Sequence, residues 1–177
     1  MLVKKASTSR LDDPVYRTCL ESVPICCVDL VVHQGKKLWL FKRTKWPVKG
    51  KFWFPGGRIL RGGKPDREAL RIAKKETGMD VKMEKVIGAY STIFRKGHFV
   101  SGDFVRNEHI ITLCYLVTPR TGRLKDVKLD EQASKVEAFD KVDKNWHPYI
   151  VNVIKDSGLY RKDKTLRNIL SVKHFTV

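Results

Sequence analysis

The sequence lacks a long hydrophobic segment. No apolar run approaches the roughly 20 residues that a membrane-spanning helix needs. Residues 1–7 include two lysines, but no apolar stretch follows them, so they do not resemble a secretory signal. We therefore expect a cytoplasmic protein without a membrane partner.

Cysteine is also scarce, and its spacing excludes the usual metal-binding patterns. The four cysteines are Cys19, Cys26, Cys27 and Cys114. Cys26 and Cys27 are adjacent within a strand-like run, which is not the spacing of metal ligands. In a cytoplasmic protein we expect buried free thiols at these positions.

Acidic residues are few, and the chain is strongly basic. There are 19 Asp and Glu residues against 36 Lys and Arg residues, which gives a net charge of +17. This excess favours polyanionic partners, either nucleic acid or a diphosphate substrate, although a solvated basic surface explains it equally well. No zinc-finger or aromatic RNA-binding motif is present, so specific recognition of nucleic acid is not predicted.

The length of 177 residues is typical of one domain. We divide the chain into an N-terminal segment of residues 1–20, a domain of residues 21–157 and a basic and apolar tail of residues 158–177. The polar N-terminal segment is expected to lie loosely on the surface. The tail is expected to contain a short helix through Leu166, Ile169 and Leu170.

Two polar residues occur in the first predicted hairpin. Residues 25–32 form an apolar, β-branched run typical of a central strand, and a turn at 34–36 leads to a return strand at 38–42. Asp29 lies inside the central strand, where a charge needs a ligand or a structural hydrogen bond. Arg43 follows the return strand and is either a fork for phosphate oxygens or an exposed arginine.

The most informative stretch is a glycine turn followed by a short helix. Gly56 and Gly57 follow a strand-like run, and glycines there allow a carbonyl to turn toward an ion or a phosphate. Pro65 suits the first position of a helix, and Gly78 suits the position after its last turn. One face of this helix is predicted to carry Ala69, Ile72, Ala73 and Glu76, with Glu76 at the edge of the glycine turn.

The remaining elements are predicted with less local information. Strands are expected at residues 81–94 and 110–117, separated by a polar loop at 95–107 that either covers an active site or is merely mobile. A helix is expected at 145–156, and Gly158 ends it.

The frame of Gly57, Arg71, Glu76 and Gly78 resembles the Nudix box of nucleoside diphosphate hydrolases. Gly63, Ile72 and Lys75 stand where the common pattern has glutamates. Further matches resemble the GDP-mannose mannosyl hydrolase branch, in the order Pro24, Asp29, residues 42–44, residues 53–58 and residues 130–132. This resemblance implies an α/β Nudix fold, in which helices sandwich a mixed β-sheet.

The resemblance also implies a function and its residues. The expected activity is hydrolysis of a nucleoside diphosphate sugar such as GDP-mannose, with Mg²⁺, or alternatively Mn²⁺, as the cofactor. The implied assignments are as follows: metal ligands, the Gly57 carbonyl, Glu76 and Gln132; substrate contacts, Asp29, Arg43, Arg58 and His98; catalytic residues, Arg58, Arg71 and Glu76. The resembling enzymes are dimers, so a homodimer is a further expectation.

The assignment of Arg71 leaves two alternatives open. By resemblance it orients the metal-binding glutamate, whereas on the helix alone it pairs with Asp66 or Glu68.

One departure from the branch concerns the general base. The mannosyl hydrolases have a histidine beside the metal-binding glutamine, and this chain has Ala133. Replacement candidates are His98, Asp103 and Glu131. The alternatives to a nucleotide-sugar hydrolase are a Nudix-fold module that binds nucleotide or nucleic acid without catalysis, and a hydrolase of dinucleotides or capped RNA ends.

Overall fold

A mixed β-sheet with helices on both faces forms the fold. The computed structural model describes residues 13–100, 102–160 and 173–176, and the helix predicted through Leu166, Ile169 and Leu170 lies outside them. The elements are α1 (Asp13–Ser22), β1 (Ile25–Gln34), β2 (Lys37–Arg43), β3 (Phe52–Trp53), β4 (Gly56–Arg58), α2 (Pro65–Thr77), β5 (Val81–Val100), β6 (Asp103–Pro119), a 3-10 turn (Leu124–Asp126), β7 (Ala133–Phe139), α3 (Pro148–Ser157) and β8 (Lys173–Thr176).

The strand order is β3-β2-β1-β6-β5-β8, with β4 paired to β1 and β7 paired to β2. Parallel pairing joins β1 to β6 and β5 to β8, and the other pairs are antiparallel. One core lies between the sheet and α3, and a second lies between the sheet and α2. The predicted α/β fold with a sandwiched mixed sheet is therefore confirmed.

Strand β1 is the centre of the sheet, as its sequence predicted. Val28, Leu30 and Val31 are fully buried because β1 has a neighbour on each side and a helix over each face. The hairpin to β2 turns at Gly35, whose φ of 60° falls in the left-handed region that glycine tolerates.

The predicted loop at residues 95–107 was wrong. These residues extend β5 and β6 into one long hairpin, whose strands pair from Val81↔Pro119 to Val100↔Asp103. Register shifts occur between Lys96 and Phe99, so the hairpin contains bulges and does not follow a regular alternation. These bulges and the exposed outer surface of the hairpin account for the polar residues and glycines between positions 95 and 107.

The described part of the N-terminal segment is not loose. Residues 13–22 form α1, and its Tyr16 and Leu20 are buried against Val100 and Val105 of the hairpin. The helix is amphipathic, so it covers the apolar side of the hairpin end and leaves its polar residues in solvent.

The ends of α2 and α3 agree with the sequence signals. Pro65 begins α2, and Gly78 ends it with a φ of 71°. Gly158 ends α3 in the same conformation, and Tyr149, Ile150, Val153 and Ile154 are its buried residues. Among the described residues, no helix combines the length and hydrophobicity needed to cross a membrane.

The cysteines are only partly as expected. Cys27 and Cys114 are buried free thiols, but Cys26 is an exposed one and Cys19 is partly exposed. Adjacent residues of a strand point to opposite faces, so Cys26 and Cys27 cannot share one environment.

Candidate functional site

Four of the residues predicted for the site converge beside the Gly56–Gly57 turn: Asp29 of β1, Arg43 of β2, Glu76 of α2 and Gln132 before β7. The guanidinium of Arg43 joins them. Its Nη2 donates to Gln132 Oε1 at 3.0 Å, its Nη1 lies 3.8 Å from Glu76 Oε2, and its charge reaches Asp29.

Helix α2 directs Glu76 at the glycine turn. The Gly56 N–H donates to Glu76 Oε2 at 3.1 Å, and the side chain is buried on the face that also carries Ile72 and Ala73. Burial raises the pKa of Glu76 to about 7; the Asp130 and Asp29 charges act in the same direction, and the Arg43 charge and the Gly56 hydrogen bond oppose it. This carboxyl group therefore titrates near neutral pH.

Asp29 is held from the opposite side by α3. The Tyr149 hydroxyl donates to Asp29 Oδ2 at 2.7 Å. Burial raises the pKa of Asp29 to about 6, against the effects of the Tyr149 bond and the Arg43 charge. A Cβ atom on Gly56 would overlap the Asp29 carboxylate, so this close approach requires glycine.

Arg43 has unused hydrogen-bonding capacity. Its side chain is only 13% exposed, and its Nε is buried without a hydrogen-bond partner in the described part of the chain. A buried N–H without a partner costs free energy. The guanidinium therefore has a free donor for an anion in addition to its bond to Gln132.

The ladder between β1 and β4 distinguishes the two glycine carbonyls. Leu30 N–H donates to the Pro55 carbonyl and Ile59 N–H donates to the Cys26 carbonyl, each at 2.9 Å. In an antiparallel ladder every second residue pair is hydrogen-bonded. The Val28–Gly57 pair lies between the two bonded pairs and follows the same alternation, so the Gly57 carbonyl belongs to the ladder. The N–H and the carbonyl of Gly56 therefore point away from β1, and the N–H donates to Glu76.

Arg71 contacts Glu68, as the local alternative predicted, and not the candidate metal ligand. Its Nη2 donates to Glu68 Oε2 at 2.7 Å, and the Leu60 N–H donates to the same carboxylate at 3.3 Å. The Arg71 hydrogen bond lowers the pKa of Glu68. A Cβ on Gly63 would lie 2.9 Å from Glu68 Cγ, so Glu68 fills the space beside a position where the Nudix pattern has a glutamate.

Arg58 and His98 belong to a neighbouring cluster around Tyr16. The Arg58 guanidinium lies 4.1 Å from the centre of the Tyr16 ring, and the His98 ring packs edge-on against Tyr16 at 5.8 Å. His98 Nδ1 lies 2.7 Å from both oxygens of Glu108, which is 1% exposed. Arg58 is opposite Cys27 on β1, two residue pairs along the ladder from the Asp29–Gly56 pair.

The other two candidate bases are exposed. Asp103 is 77% exposed at the end of the hairpin, 3.8 Å from Arg17. Glu131 is 71% exposed and lies 3.8 Å from Lys45. Among the described residues, no group of three His, Cys, Asp or Glu side chains is placed to hold a metal ion.

Sequence reasoning assigned no role to two residues that support these clusters, Glu108 and Tyr149, and named Glu68 only as an alternative local partner of Arg71. Glu68 had a visible signal, since it lies three residues before Arg71 on the same helix. Tyr149 reads only as a core residue of α3, because its contact with Asp29 spans 120 positions.

Comparisons with known proteins identify a family and two relatives. The family model described as NUDIX domain matches residues 24–156. A relative from Haloferax volcanii, the low-salt glycan biosynthesis protein Agl8, is 30% identical over 146 residues, or 81% of this chain and 88% of the relative. An ADP-ribose pyrophosphatase from Methanocaldococcus jannaschii is 30% identical over 125 residues, or 71% of this chain and 66% of that protein.

A solved structure shows the same fold. The NUDIX hydrolase from Nitrosomonas europaea superposes with a TM-score of 0.61 at 13% identity, covering 87% of this chain and 80% of that one.

Proposed function

Because the chain belongs to the NUDIX domain family and is a Nudix-type hydrolase, we propose that it hydrolyses a nucleoside diphosphate linked to a sugar, with Mg²⁺ as cofactor. The observation that carries this proposal is the convergence of Arg43, Glu76 and Gln132 at the Gly56 turn. The relatives support the substrate class, since ADP-ribose is a nucleoside diphosphate joined to a sugar, and the resemblance favours a GDP-mannose-like substrate.

The oxygen donors at the turn fit Mg²⁺, which prefers oxygen ligands and retains several waters. Glu76, the Gln132 amide oxygen and a glycine carbonyl would hold it. The sequence predicts the Gly57 carbonyl, whereas the ladder register favours the Gly56 carbonyl, and we propose the latter. When bound, the ion would offset the negative charge of the diphosphate and polarise it. Mn²⁺ has similar ligand preferences.

In this proposal Arg43 exchanges its protein partners for the diphosphate of the substrate. In the structure its guanidinium donates to Gln132 and faces Glu76. A diphosphate offers stronger, charge-assisted acceptors for the same fork and for the unpaired Nε. Arg43 would then turn from these ligand oxygens to the substrate, so metal and substrate would bind more tightly together than separately.

Asp29 and Arg58 lie next to the Gly56–Gly57 turn, on β1 and β4. Asp29 accepts hydrogen bonds from Tyr149 and from the Trp53 side chain, and we propose that the same carboxylate contacts a substrate hydroxyl. We propose that Arg58, with His98 beyond it, contacts the leaving part of the substrate.

The candidate proton acceptors are either paired with other groups or exposed to solvent. Ala133 cannot take a proton, and His98 is already bound to Glu108, while Asp103 and Glu131 are exposed. Loss of a general base typically costs about a hundred- to ten-thousandfold in rate. We therefore propose a reduced turnover number.

A panel of nucleotide sugars tests this function. GDP-mannose, ADP-ribose and UDP sugars are incubated with the protein and Mg²⁺, and release of sugar or phosphate is measured. We expect turnover of at least one member, its loss in Glu76→Gln, and its retention in Glu137→Gln, which removes a charge paired to Lys135 on β7. No product from any member, or equal turnover by the Glu76 variant, would refute the proposal.

The net charge of +17 favours one second candidate, binding of nucleic acid or nucleotide without turnover. Salt-dependent RNA or DNA binding that Glu76→Gln leaves unchanged, with no hydrolysis in the panel, would support this alternative.

A further inference from the structure

A strip of aromatic side chains lies where the loop after Arg43 meets the end of the β5–β6 hairpin. It consists of Trp46, Phe99 and Phe104. The Trp46 and Phe104 rings meet edge-on at 5.0 Å, and Phe104 meets Phe99 edge-on at 5.4 Å. Phe99 is 58% exposed, and the other two are half-buried. Segments about 50 residues apart in sequence form this strip by tertiary packing.

A cation accompanies the rings. The Lys96 ammonium lies 3.9 Å from the centre of the Phe104 ring and 5.1 Å from that of Trp46. Aromatic faces with an adjacent lysine suit a ligand that is both flat and anionic. Phe99 is exposed beside two further rings, and a contiguous apolar surface, unlike a single exposed apolar side chain, indicates a binding role.

The strip is connected to the polar site through one short segment. Trp46 is three residues beyond Arg43, so their Cα atoms are at most about 11 Å apart. Thr44 anchors the segment, because its N–H donates to the Gln132 carbonyl at 2.9 Å and its hydroxyl donates to the Glu131 carbonyl. The strip therefore has a fixed position relative to Arg43 and Gln132.

We propose that Trp46, Phe99 and Phe104 form a nucleobase-binding subsite. This inference rests on the proposed function, since it assigns the nucleoside half of the substrate to the strip and the diphosphate to Arg43. A base stacked on a ring gains affinity without a sequence-specific hydrogen bond, so the strip would accept more than one base. Lys96 would contact the base edge or a phosphate.

The test separates base binding from phosphate binding. Titration calorimetry with Mg²⁺ measures the affinities of ADP, GDP and pyrophosphate for the full chain. We expect Phe99→Ala and Phe104→Ala to weaken ADP and GDP binding roughly 5- to 100-fold and to leave pyrophosphate binding unchanged. Phe99→Leu keeps an apolar side chain without a ring and should behave like Phe99→Ala.

Val86→Ala is the matched control, because Val86 is 57% exposed on β5 and lies outside the strip. It should leave all three affinities unchanged. Equal weakening of pyrophosphate and ADP, or no change in either, would overturn the proposal. So would a dimer in sedimentation velocity that only the Phe99 variants dissociate, or selective loss of single-stranded oligonucleotide binding with ADP binding intact.

The subsite and the activity can fail separately. If the nucleotide-sugar panel shows turnover but Phe99→Ala binds ADP normally, the subsite alone is refuted. If no substrate is turned over but Phe99→Ala selectively loses ADP, the subsite is supported and the hydrolytic proposal fails.

Discussion

Replacing Glu76 with glutamine tests whether this carboxyl group resists ionisation in the folded protein. Its pKa is raised by burial from the usual 4.5 to about 7. At pH values between these two pKa values, Glu76 keeps its proton in the folded protein and has released it in the unfolded chain. Because the folded state then binds more protons, the free energy of unfolding falls as the pH rises through this range.

The size of the effect follows from the two pKa values. Their difference of roughly 2.5 corresponds to about 3 kcal/mol at 1.36 kcal/mol per pKa unit. Glutamine does not titrate, so Glu76→Gln escapes this loss. Relative to the wild type, the variant should therefore gain about 3 kcal/mol on going from low pH to pH 8, or roughly 6–12 °C in melting temperature for a domain of this size.

The assay is thermal unfolding followed by circular dichroism at about pH 4.5 and pH 8, with a chelator to remove metal ions. Glu137→Gln is the matched control, because it removes a charge from a partly exposed side chain on β7. Its difference from the wild type should vary much less between the two pH values. If the Glu76 variant also keeps a constant difference from the wild type, the raised pKa is refuted.

Three further sets of variants test single contacts by chemical denaturation. Tyr149→Phe removes the hydroxyl that donates to Asp29. The loss should be about 1–3 kcal/mol at pH 8, and smaller at pH 5 because the pKa of Asp29 is about 6. Gly56→Ala forces a methyl group onto the Asp29 carboxylate and should cost about 1–3 kcal/mol. Gly57→Ala meets only ordinary contacts and should stay within about 1 kcal/mol of the wild type. Glu68→Gln weakens the hydrogen bond from the Leu60 N–H, in the loop before α2, and should cost about 1 kcal/mol of stability.

The contrary outcomes are equally specific. A pH-independent loss for Tyr149→Phe would mean that Asp29 is not its partner. Equal losses for the Gly56 and Gly57 variants would contradict the close approach of Asp29 to Gly56. An unchanged denaturation midpoint for Glu68→Gln would show that the loop does not depend on this carboxylate.

Helix α2 could be predicted from the sequence because its signals are local. Pro65 and Gly78 mark its ends through backbone geometry alone, and the spacing of Ile72, Ala73 and Glu76 fixes the buried face. The direction of Glu76 toward the turn followed from this register. The same reasoning gave β1, whose apolar run is long enough to exclude other assignments.

The hairpin could not be predicted in the same way, because distant segments stabilise it. Its end is covered on one side by Tyr16 and Leu20 of α1, and Phe104 packs against Trp46 from the loop after β2. Residues 95–107 combine two Phe-Val pairs with polar residues and two glycines, and this polar and glycine content is also typical of loops.

Side-chain partners were predicted less well than positions. Arg58 was expected to contact the substrate, and its guanidinium covers the ring of Tyr16, 42 positions away. Arg71 was assigned by family position, but the carboxylate nearest to it is Glu68 on its own helix. Motif spacing locates a backbone, and the choice among nearby charges depends on rotamers that spacing does not encode.

The pairing of β8 with β5 affects how the protein can be handled. Its residues Lys173–Thr176 run parallel to residues 90–93, and Lys173 bonds Asp156 at 2.7 Å. Removing β8, by proteolysis or by a stop codon before Lys173, would uncover unpaired N–H and C=O groups along this stretch of β5. Such an open edge recruits strands from other molecules, so truncated preparations should aggregate even though every residue proposed for hydrolysis is retained.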